Sequence, residues 1–95
     1  MRKITDIPDI DKPREKLMRK DVSTLSNVEL LAVLIGRGVR GRDVLQVASD
    51  VDRRFKDDLD RVGVEELVKI DGIGAVKASQ ILAGFELARR YSGKN

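Results

Sequence analysis

Apolar residues recur along most of this chain at the three- and four-residue spacing of a helix, and nowhere do they alternate with period two over a useful length. Helical spacing stacks side chains on one face of a 3.6-residue turn, whereas alternation would line one face of a strand. The pattern predicts an all-α fold of about five helices. Pro13 opens a first short helix in PREKLMRK, because its missing N–H and fixed φ suit the first helical position. In LSNVELLAVLI, Ser26 followed three residues later by Glu29 is a capping-box signature. Val28, Leu31, Ala32, Leu34 and Ile35 follow it at helical spacing. GRGVRGR breaks the helix, and DVLQVASDVDRRF resumes it with Val44, Val47, Ala48, Val51 and Phe55 on one face. KDDLDRVG reads as a charged connection with one turn of helix at most. VEELVKI is a short helix ended by Gly72, and Val76 to Tyr91 is the longest, expected to bury Ala78, Ile81, Leu82 and Phe85. The expected organisation is an extended N-terminal arm over residues 1–12, a helical domain over 13–92 and a flexible tail over 93–95.

Two stretches of this pattern resemble each other. VELLAVLIGRG (28–38) and VEELVKIDGIG (64–74) align without a gap at an offset of 36, sharing Val, Glu, Leu and both glycines. Past the glycines the apolar faces match at an offset of 34, with Val44, Val47 and Ala48 opposite Ala78, Ile81 and Leu82. The first turn is therefore expected to be about two residues longer than the second. The chain reads as two helix–turn–helix units forming a pseudo-duplicated core. A pseudo-twofold relation would bring both turns to one edge.

Composition narrows the chemistry. A chain of 95 residues supports one domain with a modest core. Hydrophobic residues are 41% but aromatics only 3%, so the core is aliphatic and few rings exist for exposed bases to stack on. That weakens a single-strand-binding reading. Nineteen Lys and Arg against sixteen Asp and Glu leave +3, which makes the placement of charge more informative than its sum. No cysteine and no histidine are present, which excludes disulfides, Cys or His zinc sites and His-dependent triads. No apolar run approaches the ~20 residues of a membrane span, and the start lacks the apolar run of a secretory signal. A cytoplasmic chain without cofactor or membrane partner is expected.

The two turns carry the candidate chemistry. In DGIGAVKA, Gly72 and Gly74 precede a helix whose first N–H groups lack intrahelical partners and sit at the positive end of its dipole. Glycine removes the Cβ that would block close approach, so amides from Gly74 to Lys77 can face an anion while Ile73 points inward. Val76 and Lys77 lie in that first turn, and Lys77 adds a charge. The competing reading is a tight turn in which both glycines serve packing alone, and Asp71 favours it by repelling a phosphate. The first turn holds Arg37, Gly38, Arg40, Gly41 and Arg42, with no acid before Asp43. Here either the arginine side chains contact phosphate or the loop is merely solvated, and Val39 takes the plug position that Arg37 cannot fill. The aspartates between Asp50 and Asp60 lack the glycine and spacing of a calcium loop and read as a solvated face. The basic residues from Lys12 to Lys20 read as a soluble cap on the bundle or as a contact with DNA or lipid.

DGIGAVKASQI resembles the helix-hairpin-helix motif of DNA-binding proteins. PREKLM, LSNVELLAVLI, GRGVRGRDVLQVA and LVKIDGIGAVKASQILAGFELARR, in that order, resemble the amino-terminal domain of RadC-family proteins over roughly residues 8–91. The resemblance implies sequence-independent contact with the phosphates of double-stranded or junction DNA, in repair or recombination. It assigns the hairpin role to Gly72, Gly74, Val76 and Lys77. It also implies a monovalent cation on the carbonyls of Val68, Ile70 and Ile73. Ala75 stands where such hairpins often carry proline. RadC-like proteins continue into a JAMM/MPN-type metal-binding domain whose motif needs histidines. The expectation here is a chain without that domain and without catalysis; Lys77, at an exposed helix start with no partner acid, is a poor lyase nucleophile. The alternative to DNA binding is a protein-interaction module that docks or regulates such a catalytic domain.

Overall fold

A computed structural model describes residues 12–19, 21–57 and 62–93. Five α-helices account for most of them: α1 (Lys12–Arg19), α2 (Asn27–Ile35), α3 (Val44–Asp57), α4 (Val64–Leu67) and α5 (Ala75–Tyr91). A 3-10 turn at Val22–Thr24, which the periodicity does not announce, joins α1 to α2. Its cap is Asp21, whose carboxylate accepts from the Ser23 amide at 3.2 Å. Among the described residues the only β-type pairing is an isolated bridge between Val39 and Arg42. The arm's residues 1–11, residues 58–61 of the charged connection and the tail's last two residues lie outside the described set.

The core forms where the apolar faces of α2, α3 and α5 meet. Val44, Val47, Ala48, Val51 and Phe55 are all buried, as the spacing in α3 requires. They pack with Leu31, Ala32 and Ile35 of α2 and with Leu67, Ile73, Ala78 and Ile81 from the second unit. Burying each Val, Leu or Ile side chain contributes about 1.5–3 kcal/mol. α2 begins as its capping box predicts: Ser26 Oγ accepts from the Glu29 amide at 3.1 Å, and Glu29 Oε1 accepts from the Ser26 amide at 2.8 Å. It ends at Gly36, whose N–H donates to the Ala32 carbonyl at 2.9 Å and whose φ of 87° turns the chain out of the helix. The same Glu29 holds α1 in place by accepting from Lys16 Nζ at 2.9 Å. Both Ser26 and Lys16 hold the Glu29 carboxyl below its ordinary value of 4.5, the backbone bond at Ser26 foremost.

Two packing expectations, those for Leu82 and Phe85, are corrected, and one residue at helical spacing in α2 lies outside the core. Leu34 is 43% exposed, because α2 is apolar nearly all round and its periodicity does not single out one inward face. Leu82 is only partly buried, and Phe85 is 36% exposed; its ring stacks on Phe55 at a centroid distance of 4.5 Å on the rim of the core. Leu34 and Phe85 instead border a shallow apolar groove between α2, α3 and α5. By helix bounds, residues 36–43 form the first connection and 68–74 the second, so the first is longer by one residue and not two. The second unit makes up part of the difference by tightening after Leu67, where Lys69 and Ile70 bond back to Glu66 and Leu67 with 3-10 spacing.

Candidate nucleic-acid interface

The second turn is built from the inside out. Ile73 is buried, and its amide donates to the Ile70 carbonyl at 3.0 Å, which closes the turn over the core. Gly72 takes φ +104°, and a Cβ there would lie 2.8 Å from Val47 Cγ2. Its glycine is thus required twice, by conformation and by contact. Gly74 is different. It adopts φ −94° and ψ −178°, an extended conformation open to any residue, and a Cβ on it would meet nothing within 4 Å. It is the N-cap of α5, and no side chain caps the helix from there. The amides of Ala75, Val76 and Lys77, the first turn of α5, therefore lie beside an uncrowded Gly74 with neither an intrahelical acceptor nor a side-chain cap at Gly74.

The first turn closes differently. Val39 and Arg42 exchange two backbone hydrogen bonds of 3.0 Å, and Gly41 between them has φ +86°. A positive φ at that third position after an ordinary one is the type II pattern, which puts Arg40 at the tip. Gly38 has no freedom to carry a side chain, since a Cβ would fall 2.2 Å from the Arg42 carbonyl oxygen. Val39 does not plug a core: it is 41% exposed, with Cγ2 3.6 Å from the position of a Gly72 Cβ. The helix that follows is sealed. Asp43 Oδ1 accepts from the Gln46 amide at 2.8 Å, and Gln46 Oε1 accepts from the Asp43 amide at 2.9 Å. This reciprocal box fills the start of α3, where the start of α5 stays open.

The two turns touch. Lys77 Nζ donates to the Arg37 carbonyl at 2.7 Å, and Arg42 donates to the Asp71 carbonyl at 3.1 Å. Both turns therefore lie on one edge, where a pseudo-twofold relation would place them. The site residues inferred from the sequence come together there but in two conditions. Arg37 and Arg40 are exposed and make no hydrogen bond or ion pair among the described residues. Arg42 is turned inward, ion-paired to Asp50 and also bonded to the Gln46 carbonyl at 3.2 Å. Val76 is 72% exposed beside the open amides. Sequence reasoning missed Arg14, which reaches from α1 to the Gly36 carbonyl at 3.0 Å and adds a fourth arginine to the edge. It also missed the Asp43–Gln46 box, although that pair has the cap-plus-three spacing used to find Ser26 and Glu29. Elsewhere, Asp50 and Asp52 of the acidic stretch pair with Arg42, Arg53 and Lys56.

The model of the UPF0758 N-terminal family matches residues 4–79, most of the chain and both turns. The chain belongs to the UPF0758 N-terminal family. This bears out the resemblance to the amino-terminal region of RadC-family proteins. UPF0758 proteins of Aquifex aeolicus, Methanospirillum hungatei and Dechloromonas aromatica are 40%, 43% and 42% identical over 92, 91 and 90 residues. Those alignments cover 97%, 95% and 92% of this chain but 40% of each relative, so the chain spans about two-fifths of their length. No solved structure matches this UPF0758 N-terminal domain. No helix among its described residues is long and apolar enough to cross a membrane.

Proposed function

We propose that this domain binds double-stranded or junction DNA through its phosphates, without reading sequence, using a pseudo-duplicated helix-hairpin-helix core, and that it serves repair or recombination without catalysing a reaction itself. The observation that carries this reading is the open start of α5. Gly74 leaves a helix N-terminus uncapped where no packing or backbone constraint calls for glycine, beside two exposed arginines on a neighbouring turn. Amides and dipole favour an anion there, and absence of a Cβ lets a phosphate come close. The amides of the second turn hold one strand, and Arg37 and Arg40 hold the other. Gly38, Gly41 and Gly72 shape the two turns for this. A monovalent cation on the carbonyls of Val68, Ile70 and Ile73 belongs to the same reading.

The alternative, a module that docks or regulates a JAMM/MPN-type domain, draws support from Val76, Leu87 and Tyr91, which are 72%, 50% and 85% exposed along α5. Titrating salt against affinity separates the two. Phosphate binding weakens as salt rises, with a slope of about 0.9 in log affinity per phosphate contact on duplex DNA. Duplex and junction DNA should bind with such a slope and single strands more weakly. Gly74→Val is the decisive variant, since the backbone is extended there and a Cβ meets nothing within 4 Å. It should keep the fold and weaken DNA binding more than Lys77→Ala does. A folded Gly74→Val protein with unchanged duplex affinity overturns the amide site, and flat salt dependence overturns DNA binding itself.

A further inference from the structure

We infer that Arg42 is a positioning residue, a strut that fixes the second turn against the first, and that it takes no phosphate itself; this rests on the DNA-binding reading above. In the sequence Arg42 is equivalent to Arg37 and Arg40, one of three cations in a glycine loop. In the fold its guanidinium meets three acceptors on two segments, the second turn and α3. It donates to the Asp71 carbonyl next to Gly72, to the Gln46 carbonyl in the first turn of α3, and to the Asp50 carboxylate one turn further on. Asp50 is held in turn by Arg53 at 3.2 Å. The Arg42 side chain is 24% exposed and that of Asp50 30%, so the pair lies in the seam between turns and not on the outer surface. A planar fork can bridge several acceptors at fixed angles, which an ammonium cannot do. Lys77 braces the seam in the opposite direction, from α5 to the Arg37 carbonyl. Below both struts, Val47 and Val39 close on the bare Cα of Gly72. Two hydrogen-bonded struts and an apolar contact thus hold the open amides of α5 at a set distance from Arg37 and Arg40. A rigid spacing matters because two grips on one duplex reinforce each other only if both fit at once.

The assignment predicts opposite signs for two readings of Arg42. If Arg42 were a phosphate ligand restrained by Asp50, Asp50→Asn would release it, strengthening binding and steepening the salt slope. As a strut it loses its counter-ion, so Asp50→Asn should weaken duplex binding severalfold with the slope unchanged. Arg42→Ala should weaken binding by about tenfold, again at unchanged slope, while Arg37→Ala and Arg40→Ala each lower the slope by about 0.9. Arg42→Lys keeps the charge but not the fork, and should bind no better than Arg42→Ala. A slope that falls by about 0.9 in Arg42→Ala, full rescue by Arg42→Lys, or tighter binding by Asp50→Asn overturns the assignment. An NMR comparison without DNA keeps it testable should DNA binding itself fail. Arg42→Ala should shift the amide resonances of residues 71–77 strongly and Arg37→Ala should not; equal, small shifts in both overturn the strut.

Discussion

Two glycines separated by one residue have different reasons to be glycine. At Gly72 both the positive φ and the 2.8 Å approach to Val47 exclude a side chain. Gly72→Ala should therefore destabilise the domain by about 1–3 kcal/mol in chemical denaturation, through strain at a left-handed position and crowding of the core. Gly74 has neither constraint. Gly74→Ser would supply the missing cap at a cost-free position and should raise stability by a few tenths of a kcal/mol. The same hydroxyl would occupy the amides offered to a phosphate, so DNA affinity should fall while the melting temperature rises or holds. A loss of both together would mean that Gly74 is structural after all. Sequence alone cannot separate these glycines, because the pair reads identically as a packing turn and as an anion cradle.

Several helix turns in this domain carry short charged motifs, and these contribute to its response to acid. Glu86 accepts from Arg89 at 3.1 Å and Arg90 at 2.8 Å in the last turns of α5, and those bonds hold its carboxyl at about 2 against an ordinary 4.5. Glu66 is lowered as well, chiefly by its bond to Arg54, and Glu29 by its bonds to Ser26 and Lys16. A carboxyl depressed on folding contributes stability above its unfolded value that is lost as pH falls through the folded one. Thermal midpoints should hold down to about pH 5 and then fall toward pH 2. Glu86→Gln should flatten the fall, and salt should lessen it because the pair is on the surface. A midpoint that does not change below pH 5 would show that the ion pairs contribute nothing. The chain has no histidine and no cysteine, so the midpoint should be level near neutrality.

At the scale of the whole molecule, the core and the edge are separate regions with separate mutational signatures. Ile81 and Leu67 are fully buried where the second unit meets the first. Ile81→Ala or Leu67→Ala should cost about 2–5 kcal/mol, part of it from the cavity left behind. Leu34→Ala, on the groove rim, should cost about 0.5 kcal/mol, near the surface range. The core variants should reduce DNA binding only in proportion to the unfolded fraction. Changing Arg37 and Arg40 should leave the unfolding midpoint unchanged and alter only the salt slope. Core variants that bind poorly while fully folded would show that the edge is not mechanically independent of the packing beneath it.

The α-helices are legible in the residue order, because capping boxes, proline and apolar spacing are local, and the buried face of α3 follows from them residue by residue. That order also determined the position of both turns, while the contacts from Lys77 to Arg37 and from Arg42 to Asp71 are what bring them to one edge. It did not determine the depth of burial at the margins of the core. Leu34, Leu82 and Phe85 carry the right spacing, but how far each is covered depends on where neighbouring helices stop. Nor did it distinguish three arginines in one loop. Arg37, Arg40 and Arg42 have the same charge and nearly the same local sequence. Only tertiary structure brings the Asp71 carbonyl and the Asp50 carboxylate to one of them, 29 and 8 residues away in the chain, and leaves the other two facing outward. A hydrogen bond across such a separation has no signature in periodicity or composition, since its geometry exists only after the helices have packed.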